Sequence, residues 1–480
     1  MRLHHSLRHG RAVPMAPLPD PLGGCPDPSM HVSYVSPALA LDPKYWRALC
    51  PDLHVCDDAF IDGIKPMVVG GGLAQDAKDR IKELGFTKIP KQVLNWKTVQ
   101  HRKLASAVIT LMQHGWNPSW VLVYDEAWAI VQELSQLIFE CTGNLVNHDA
   151  LAWHVSPRDE NPSAFSPHRD RQPDDAPSSF RNDGTAMYAT AWVPLTDATP
   201  ENSCLNFIPR TQDPGYFDGD CDDPNVPAEQ SDPLRLSLKN KQAYQHITCV
   251  PAEAGSVIIF THRVIHWGSA PPPAMPKSFV NSGTCEPRVC VSFGFADAEY
   301  EPPYLKSVAS KQSKDTDFPS LKKRIALVAA QMVSYHERFP SDKKTLKKFH
   351  QLFTHADDMF SKEYKRKVLV EYVRAAGEIR SGVCKGGDET KKKKKKERND
   401  DDDGSDDDEK SDSQSSDASD ADSGSDAMDA ALDAMLDAEI AGDGSDFEDD
   451  FDTLAAEDSE YEQEEEAVVG SGKRGEKRKR

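Results

Sequence analysis

The sequence has no apolar run approaching the roughly 20 residues that a membrane-spanning helix needs, and no signal-peptide segment follows its start. Its ten cysteines stand singly between Cys25 and Cys384, without a CxxC pair. This scatter is typical of reduced, mostly buried thiols and argues against a disulfide framework. Together these absences predict a soluble intracellular protein.

Net negative charge is almost absent from most of the chain and is concentrated at its end. The formal net charge of the 480 residues is −21. Residues 381–480 hold 34 acidic and 15 basic side chains, a net of −19, which leaves 44 acidic and 42 basic side chains before them. The first 380 residues are thus nearly neutral, and the overall acidity says little about a substrate.

Changes in composition divide the chain into four parts. Residues 1–40 begin with a stretch rich in proline, glycine, arginine and histidine and are predicted to be a disordered leader. The next part, 41–310, is predicted to be one domain, helical over 41–150 and with a β core over 150–297. A helical extension is expected over 311–380. The acidic, low-complexity tail over 381–480, with basic ends, is expected to be disordered.

Local patterns predict the elements inside these parts. Helices are expected at 74–84, ending at Gly85, and at 104–112, 127–138 and 321–332. Short apolar or alternating runs predict strands at 151–155, 186–195, 204–208, 245–250, 256–260 and 288–295. Six short strands separated by turn residues favour a closed or double-sheet β architecture. The polar segment 213–232 is too long for a hairpin and is expected to pass over the mouth of this core.

The triplet His168-Arg169-Asp170 is a candidate metal site. Side chains two apart on an extended segment point the same way, so His168 and Asp170 can face one point while Arg169 points away. His266, at the far end of a predicted strand over 256–266, would add a second imidazole. Two imidazoles and one carboxylate on one face of an octahedral metal suit non-heme Fe(II) and leave positions open for a co-substrate and dioxygen.

His262 is the rival for the third ligand. It precedes His266 by four residues, the spacing of a zinc pair on a helix, but the preceding run Val-Ile-Ile-Phe is β-like and no HExxH glutamate lies between them. His262 is therefore interpreted as an ordinary polar residue near the rim.

Arg288 opens an alternating run that places it with Cys290 and Ser292 on one face. Inside a barrel its charge would require an anionic partner, because an unpaired buried charge is costly. The distal carboxylate of 2-oxoglutarate would meet that need through the paired donors of the guanidinium. An arginine at the start of a strand can equally be a surface residue, and the run alone does not decide between the two.

The order of the motifs resembles the phytanoyl-CoA dioxygenase family of Fe(II)- and 2-oxoglutarate-dependent oxygenases, over roughly residues 70–305. The matching segments, in chain order, are PHRD at 167–170, TAWVPLTDAT at 190–199, ENSCLNFIPR at 201–210, AGSVIIFTHRVIH at 254–266 and RVCVSFGFAD at 288–297. The chain departs from the family where Trp267 separates His266 from Gly268-Ser269. It also departs in the gap before Arg288, which is about twice the usual length.

The resemblance implies a mainly β core with flanking helices (α+β), built as a double-stranded β-helix of the jelly-roll or cupin kind. It implies Fe(II) on His168, Asp170 and His266, with 2-oxoglutarate and O2 as co-substrates. Arg288 would hold 2-oxoglutarate, and two further positions match co-substrate contacts: Trp192, for which a purely structural role in the core is an equal alternative, and Ser269.

The function expected from this resemblance is hydroxylation of a small molecule or an acyl-CoA-type substrate. One alternative is a nuclear oxygenase acting on protein or nucleic acid, suggested by the charged tail. Another is a non-catalytic β-helix scaffold whose tail recruits partners. Nucleus or cytoplasm is the expected location. An imperfect N-terminal peroxisomal address, Arg2-Leu3 followed by His9-Gly10, keeps the peroxisome as an alternative.

The tail contains one segment with helical periodicity. Residues 426–440 place Met428, Leu432, Met435, Leu436 and Ile440 on one helical face, which a partner's groove could accept. A transient helix without a partner is the favoured interpretation. Lysine and arginine blocks at 391–396 and 473–480 are compatible with nuclear import or nucleic-acid contact, although such runs are more often solvated spacers.

Overall fold

The computed structural model describes residues 27–157, 165–173, 175–220, 233–269, 286–306 and 318–380. The predicted disordered tail, its amphipathic segment and the N-terminal address lie outside these residues. So does most of the segment between His266 and Arg288.

In the described residues, eight strands form two antiparallel sheets. They are β1 Phe86–Ile89, β2 Leu145–Val155, β3 Tyr188–Pro194, β4 Leu205–Ile208, β5 Thr248–Val250, β6 Val257–Thr261, β7 Ile265–Gly268 and β8 Arg288–Ala296. The larger sheet has the order β1-β6-β3-β8-β2, and the smaller one has the order β5-β4-β7. This is the double-stranded β-helix core, with flanking helices, that the resemblance implied.

The two sheets pack face to face through apolar side chains that alternate along their strands. Phe86 and Phe260 of the larger sheet contact Phe207 of the smaller sheet, with ring centroids 4.3 Å and 5.5 Å apart. All three rings are buried. Each strand directs alternate side chains into the core. At one end of the core these inward side chains are polar and surround a cavity.

Helices cover the rest of the core. They are α1 Pro37–Ala40, α2 Pro43–Leu49, α3 Asp58–Gly63, α4 Gly71–Leu84, α5 His101–Gln113, α6 Asp125–Thr142, α7 Gly215–Asp218, α8 Leu234–Ser237, α9 Leu321–Ser334, α10 Lys343–Thr354 and α11 Lys362–Arg380. α4 ends as predicted at Gly85, whose φ of 83° is the left-handed conformation that glycine adopts at low cost. None of the described helices combines the length and apolar character needed to cross a membrane.

Residues 27–40, which the sequence assigned to the disordered leader, contain ordered turns. The Val32 amide donates to the His114 carbonyl at the end of α5, and the Val35 side chain is buried. The proline-rich composition hid this packing, because a few apolar side chains suffice to fix a short segment against an existing helix.

All six predicted strands are present, but two more were missed. β1 has only four residues, and β7 lies inside what the sequence suggested was one strand over 256–266. The chain turns at His262-Arg263 and crosses from the larger sheet to the smaller one. The apolar residues on either side of Thr261-His262-Arg263 are buried in both strands, so the sequence is compatible with one long strand as well as with two.

Candidate metal centre and co-substrate pocket

A backbone pairing sets the two candidate histidine ligands side by side. The His168 amide donates to the His266 carbonyl at 3.1 Å, and the His266 amide donates back to the His168 carbonyl at 3.0 Å. Residues that exchange both bonds in an antiparallel pair have neighbouring side chains on the same face. The two imidazole centroids are therefore only 4.3 Å apart.

Asp170 completes a group of three. Its Oδ1 lies 3.4 Å from Nε2 of His266 and 3.8 Å from Nε2 of His168. Within the described part of the chain, these are the residues whose ligand atoms gather closely enough, within 4.8 Å of one another, to hold a metal ion. The site thus offers two imidazole nitrogens and one carboxylate oxygen to a single point.

Hydrogen bonds to the other polar atoms of the three side chains fix this orientation. Nδ1 of His168 is 2.8 Å from the Ser166 carbonyl, and Nδ1 of His266 is 3.1 Å from the Val264 carbonyl. Each Nδ1 must carry the proton to donate to a carbonyl, which leaves each Nε2 with a lone pair for a metal. Thr190 donates to Oδ2 of Asp170 at 2.5 Å and leaves Oδ1 available.

Burial also favours the ligand form of His168. Its removal from water, reinforced by the neighbouring His266, lowers the pKa of His168 to about 4. The imidazole is therefore neutral at physiological pH, as a metal ligand must be.

Arg288 lies at the start of β8, inside the core, so it is not the surface residue of the alternative interpretation. Its side chain is buried, and its Nη1 donates to the carbonyl and hydroxyl of Ser203. Its Nε has no hydrogen-bond partner among the described residues. A buried cation with an unused donor fits an anionic ligand, because burying it without one is costly.

Trp192 lines the same cavity as the triad, with the Arg288 guanidinium 5.8 Å from the centroid of its ring. Ser269 does not line it. The Ser269 hydroxyl lies 3.3 Å from the Pro200 carbonyl, and its backbone amide donates to the Cys204 carbonyl. The contact of Ser269 with the co-substrate, which the resemblance implied, stays a prediction.

His262 is not near the rim, as the sequence suggested, but fully buried. Its Nδ1 lies 3.0 Å from the Tyr188 carbonyl, and its Nε2 has no hydrogen-bond partner among the described residues. Burial lowers the pKa of His262 to about 3. The hydrogen bond to the Tyr188 carbonyl opposes this shift, and the nearby Arg263 cation adds to it. It stands outside the metal-binding group, because the turn after β6 directs it away from His266.

This burial predicts an acid-sensitive contribution to stability. The unfolded chain, in which His262 has a pKa near 6.5, takes up the proton before the folded protein does, so stability present above pH 6.5 is lost as the pH falls towards 3. Between pH 6.5 and 5 the loss from this residue should be about 2 kcal/mol. Urea unfolding measures this loss. The decrease in the free energy of unfolding from pH 6.5 to pH 5 should be smaller in His262→Gln than in the wild type by about this amount.

The matched control for this measurement is the exposed His355. His355→Gln should leave the pH dependence of the free energy of unfolding as it is in the wild type. An equal pH dependence for His262→Gln and wild type would contradict the assignment of a buried neutral imidazole.

Arg169 points away from the metal site, as the alternation predicted, into a buried ion cluster. It donates to the carboxylates of Asp213 and Asp220 and to the Arg263 carbonyl, and the side chains of the two aspartates are at most 1% exposed. Arg169 thereby fixes the start of the excursion that begins at Asp213. The part of the excursion expected over the cavity mouth, 221–232, lies outside the described residues.

Several residues at the cavity were not anticipated. Thr190, which orients Asp170, is the first residue of the segment TAWVPLTDAT, and the sequence alone gave it no role. Arg171 donates to the Asp170 carbonyl and pairs with Asp149 and Glu301. Tyr335 and Arg338 also line the cavity. They lie about 70 residues beyond His266 in the sequence, and no local pattern links them to it.

The fold and the triad define a β-helix core with a candidate three-ligand metal site at a cavity. Residues 75–271 match the family model described as phytanoyl-CoA dioxygenase (PhyH). This match confirms the resemblance to that family of Fe(II)- and 2-oxoglutarate-dependent oxygenases over the segment that carries all three residues of the triad. Fe(II) and 2-oxoglutarate are thus the metal and the co-substrate that match this core.

Several solved structures are similar to part of the chain. The α-ketoglutarate-dependent epimerase SnoN from nogalamycin biosynthesis is 17% identical, over 48% of this chain and 82% of its own, with a TM-score of 0.33. The carbocyclase SnoK of the same biosynthesis is 18% identical, over 48% of this chain and 87% of its own, with a TM-score of 0.34. The non-heme monooxygenase ThoJ is 12% identical, over 55% of this chain and 98% of its own, with a TM-score of 0.33. No curated protein matches the chain in sequence.

Proposed function

We propose that this protein is an Fe(II)- and 2-oxoglutarate-dependent dioxygenase that hydroxylates a small molecule. The observation that carries the proposal is one cavity lined by the triad of His168, Asp170 and His266 and by Arg288, whose Nε has no partner among the described residues. A metal site with open positions and a buried guanidinium for a dicarboxylate are the two parts that this chemistry requires.

Each group has a separate task in this proposal. Nε2 of both histidines and Oδ1 of Asp170 would hold the metal, and Thr190 keeps the carboxylate in place. When bound with 2-oxoglutarate and O2, Fe(II) supplies the oxidising chemistry that inserts oxygen into a C–H bond. Arg288 would bind the far carboxylate of 2-oxoglutarate and so fix the position of this co-substrate in the cavity. The rings of Trp192 and Phe260 line the cavity and limit the access of water.

Replacing Arg288 tests the co-substrate assignment. Arg288→Gln should raise the dissociation constant of 2-oxoglutarate by about 10- to 100-fold, because hydrogen bonds to charged groups contribute roughly 1.5–3 kcal/mol. Titration calorimetry with the Fe(II)-loaded protein under anaerobic conditions measures this change. Arg288→Lys retains the charge without the paired donors, so its dissociation constant for 2-oxoglutarate should lie between those of the wild type and of Arg288→Gln. Unchanged affinity in the glutamine variant would refute the role given to Arg288.

The reaction itself is tested by Fe(II)-dependent release of succinate from 2-oxoglutarate, followed by a screen of metabolites for faster release. Adding peptides and nucleic acids to the same screen separates a small-molecule oxygenase from one acting on macromolecules. Failure to bind either Fe(II) or 2-oxoglutarate would instead favour the non-catalytic scaffold.

A further inference from the structure

Helix α9 and the turn after it supply part of the cavity wall. Tyr335 directly follows α9, and Arg338 lies three residues further on; both line the cavity that contains the triad. They lie beyond residue 271, where the match to the family model ends. This wall is therefore a feature of this chain that the family assignment leaves without a role.

The wall is held rigidly to the metal site. Gln331 of α9 donates to Asp149 at 2.8 Å, and the Tyr335 hydroxyl lies 3.4 Å from the same carboxylate. Asp149 in turn pairs with Arg171, which donates to the backbone carbonyl of Asp170. A buried network of this kind fixes the position of α9 relative to the candidate metal ligand.

Several charged groups around the cavity form two ion-pair clusters. In one, Arg169 and Arg263 contact Asp213 and Asp220. In the other, Arg171 pairs with Asp149 and Glu301. The cations of both clusters are thus already paired with carboxylates.

With a divalent iron and 2-oxoglutarate bound, the charges of the metal and of Arg288 would offset those of Asp170 and of the 2-oxoglutarate dianion. Arg338 also lines the cavity; it is exposed, and no carboxylate pairs with it among the described residues. The positive charge of Arg338 is thus available to a ligand in the cavity.

Arg338 stands beside an aromatic surface that leads to the metal site. Its guanidinium lies 4.7 Å from the centroid of Phe165, and that centroid lies 5.2 Å from the centroid of His168. Trp153 packs between Phe165 and Phe339, with centroid separations of 4.6 Å and 4.9 Å. Because the first two separations share the Phe165 centroid, the guanidinium is within about 10 Å of the His168 ring.

We propose that Arg338 selects a prime substrate that carries an anionic group close to its reacting carbon, joined by an apolar section that packs on Phe165 and Trp153. This inference rests on the proposed function, because it assumes iron and 2-oxoglutarate at the triad and Arg288. It favours a free acid over an acyl-CoA thioester. A thioester is neutral near the acyl chain, and its phosphates lie too far along the molecule to reach a cation this close to the metal.

Matched pairs of probes test this selection. Binding of 3-phenylpropionate and octanoate, each against its primary amide, is measured by calorimetry on the full-length protein loaded anaerobically with Fe(II) and 2-oxoglutarate. At least one acid should bind 10-fold or more tightly than its amide, as expected for a charge-assisted pair. Phenyl phosphate is the third arm: if it binds better than the carboxylates, the anionic group is a phosphate. The CoA thioester of octanoate should bind no better than the amide.

The variants of this experiment separate a charge effect from a folding effect. In Arg338→Gln the preference for acid over amide should disappear, and in Arg338→Lys a reduced preference should remain. Lys344→Gln removes an equal charge from an exposed position on α10 that does not line the cavity, and should keep the wild-type preference.

Two results would overturn the inference while leaving the proposed function intact. One is a wild-type protein that binds 2-oxoglutarate but binds no acid more tightly than its amide. The other is an acid preference that survives in Arg338→Gln. A protein that binds no 2-oxoglutarate in the presence of Fe(II) overturns the proposed function and this inference together. That result is seen in the loading step, before any probe is added.

Discussion

His266→Ala is expected to abolish Fe(II)-dependent succinate formation, with a fall of more than about 100-fold, since loss of an outer-shell partner of a metal ligand already costs 10- to 100-fold. The variant loses one of three candidate ligands and the side chain paired most closely with His168. The backbone bridge between positions 168 and 266 involves no side-chain atoms and remains available to the variant. Succinate release and bound iron per protein measure the two consequences.

His355→Gln is the control, because His355 is an exposed histidine that directly follows α10 and does not line the cavity. It should retain wild-type iron content and succinate release. His168→Ala should behave as His266→Ala does. Wild-type turnover by either of the two alanine variants would remove the proposed metal site.

Arg169→Met is expected to lower the free energy of unfolding by about 3–5 kcal/mol, the cost of removing one partner from a buried ion pair. Asp213 and Asp220 would lose their shared cation while remaining almost completely buried. Because Arg169 stands between His168 and Asp170, the loss should also loosen the metal site. Urea unfolding and iron affinity, measured on the same variant, test both effects.

Lys82→Met provides the comparison for this prediction. Lys82 also pairs with a carboxylate, Asp183, but their side chains are 39% and 59% exposed. Exposed pairs contribute about 0.2–1 kcal/mol, so this variant should stay within about 1 kcal/mol of wild type. If the two variants lost the same stability, burial would not be what makes the Arg169 cluster important.

The sequence was most informative where chemistry and periodicity coincide. The HxD spacing predicted that His168 and Asp170 face one point while Arg169 points away, and the structure shows this arrangement. Alternation in the run from Arg288 predicted that Arg288 and Ser292 share a face, and both line the cavity. Alternation is a property of the backbone alone, so it survives whatever the rest of the fold does.

Local patterns failed where position depends on a turn or an insertion. The apolar run before His266 concealed the crossing between sheets that buries His262 and brings His266 to His168. Ser269, which the sequence places two residues after the insertion of Trp267, does not line the cavity. In each case the hydrophobic residues alone are compatible with more than one path of the chain.

By itself, the sequence determined the class of core, the three candidate metal ligands and the arginine suited to 2-oxoglutarate, because these depend on residue type, spacing and motif order. Only the tertiary structure decided which residues surround them. Contacts between segments that are distant in the chain pair His168 with His266, bury Arg288 against Ser203 and bring Tyr335 and Arg338 to the cavity. Such contacts are selected by packing and charge balance in three dimensions, which no local pattern encodes.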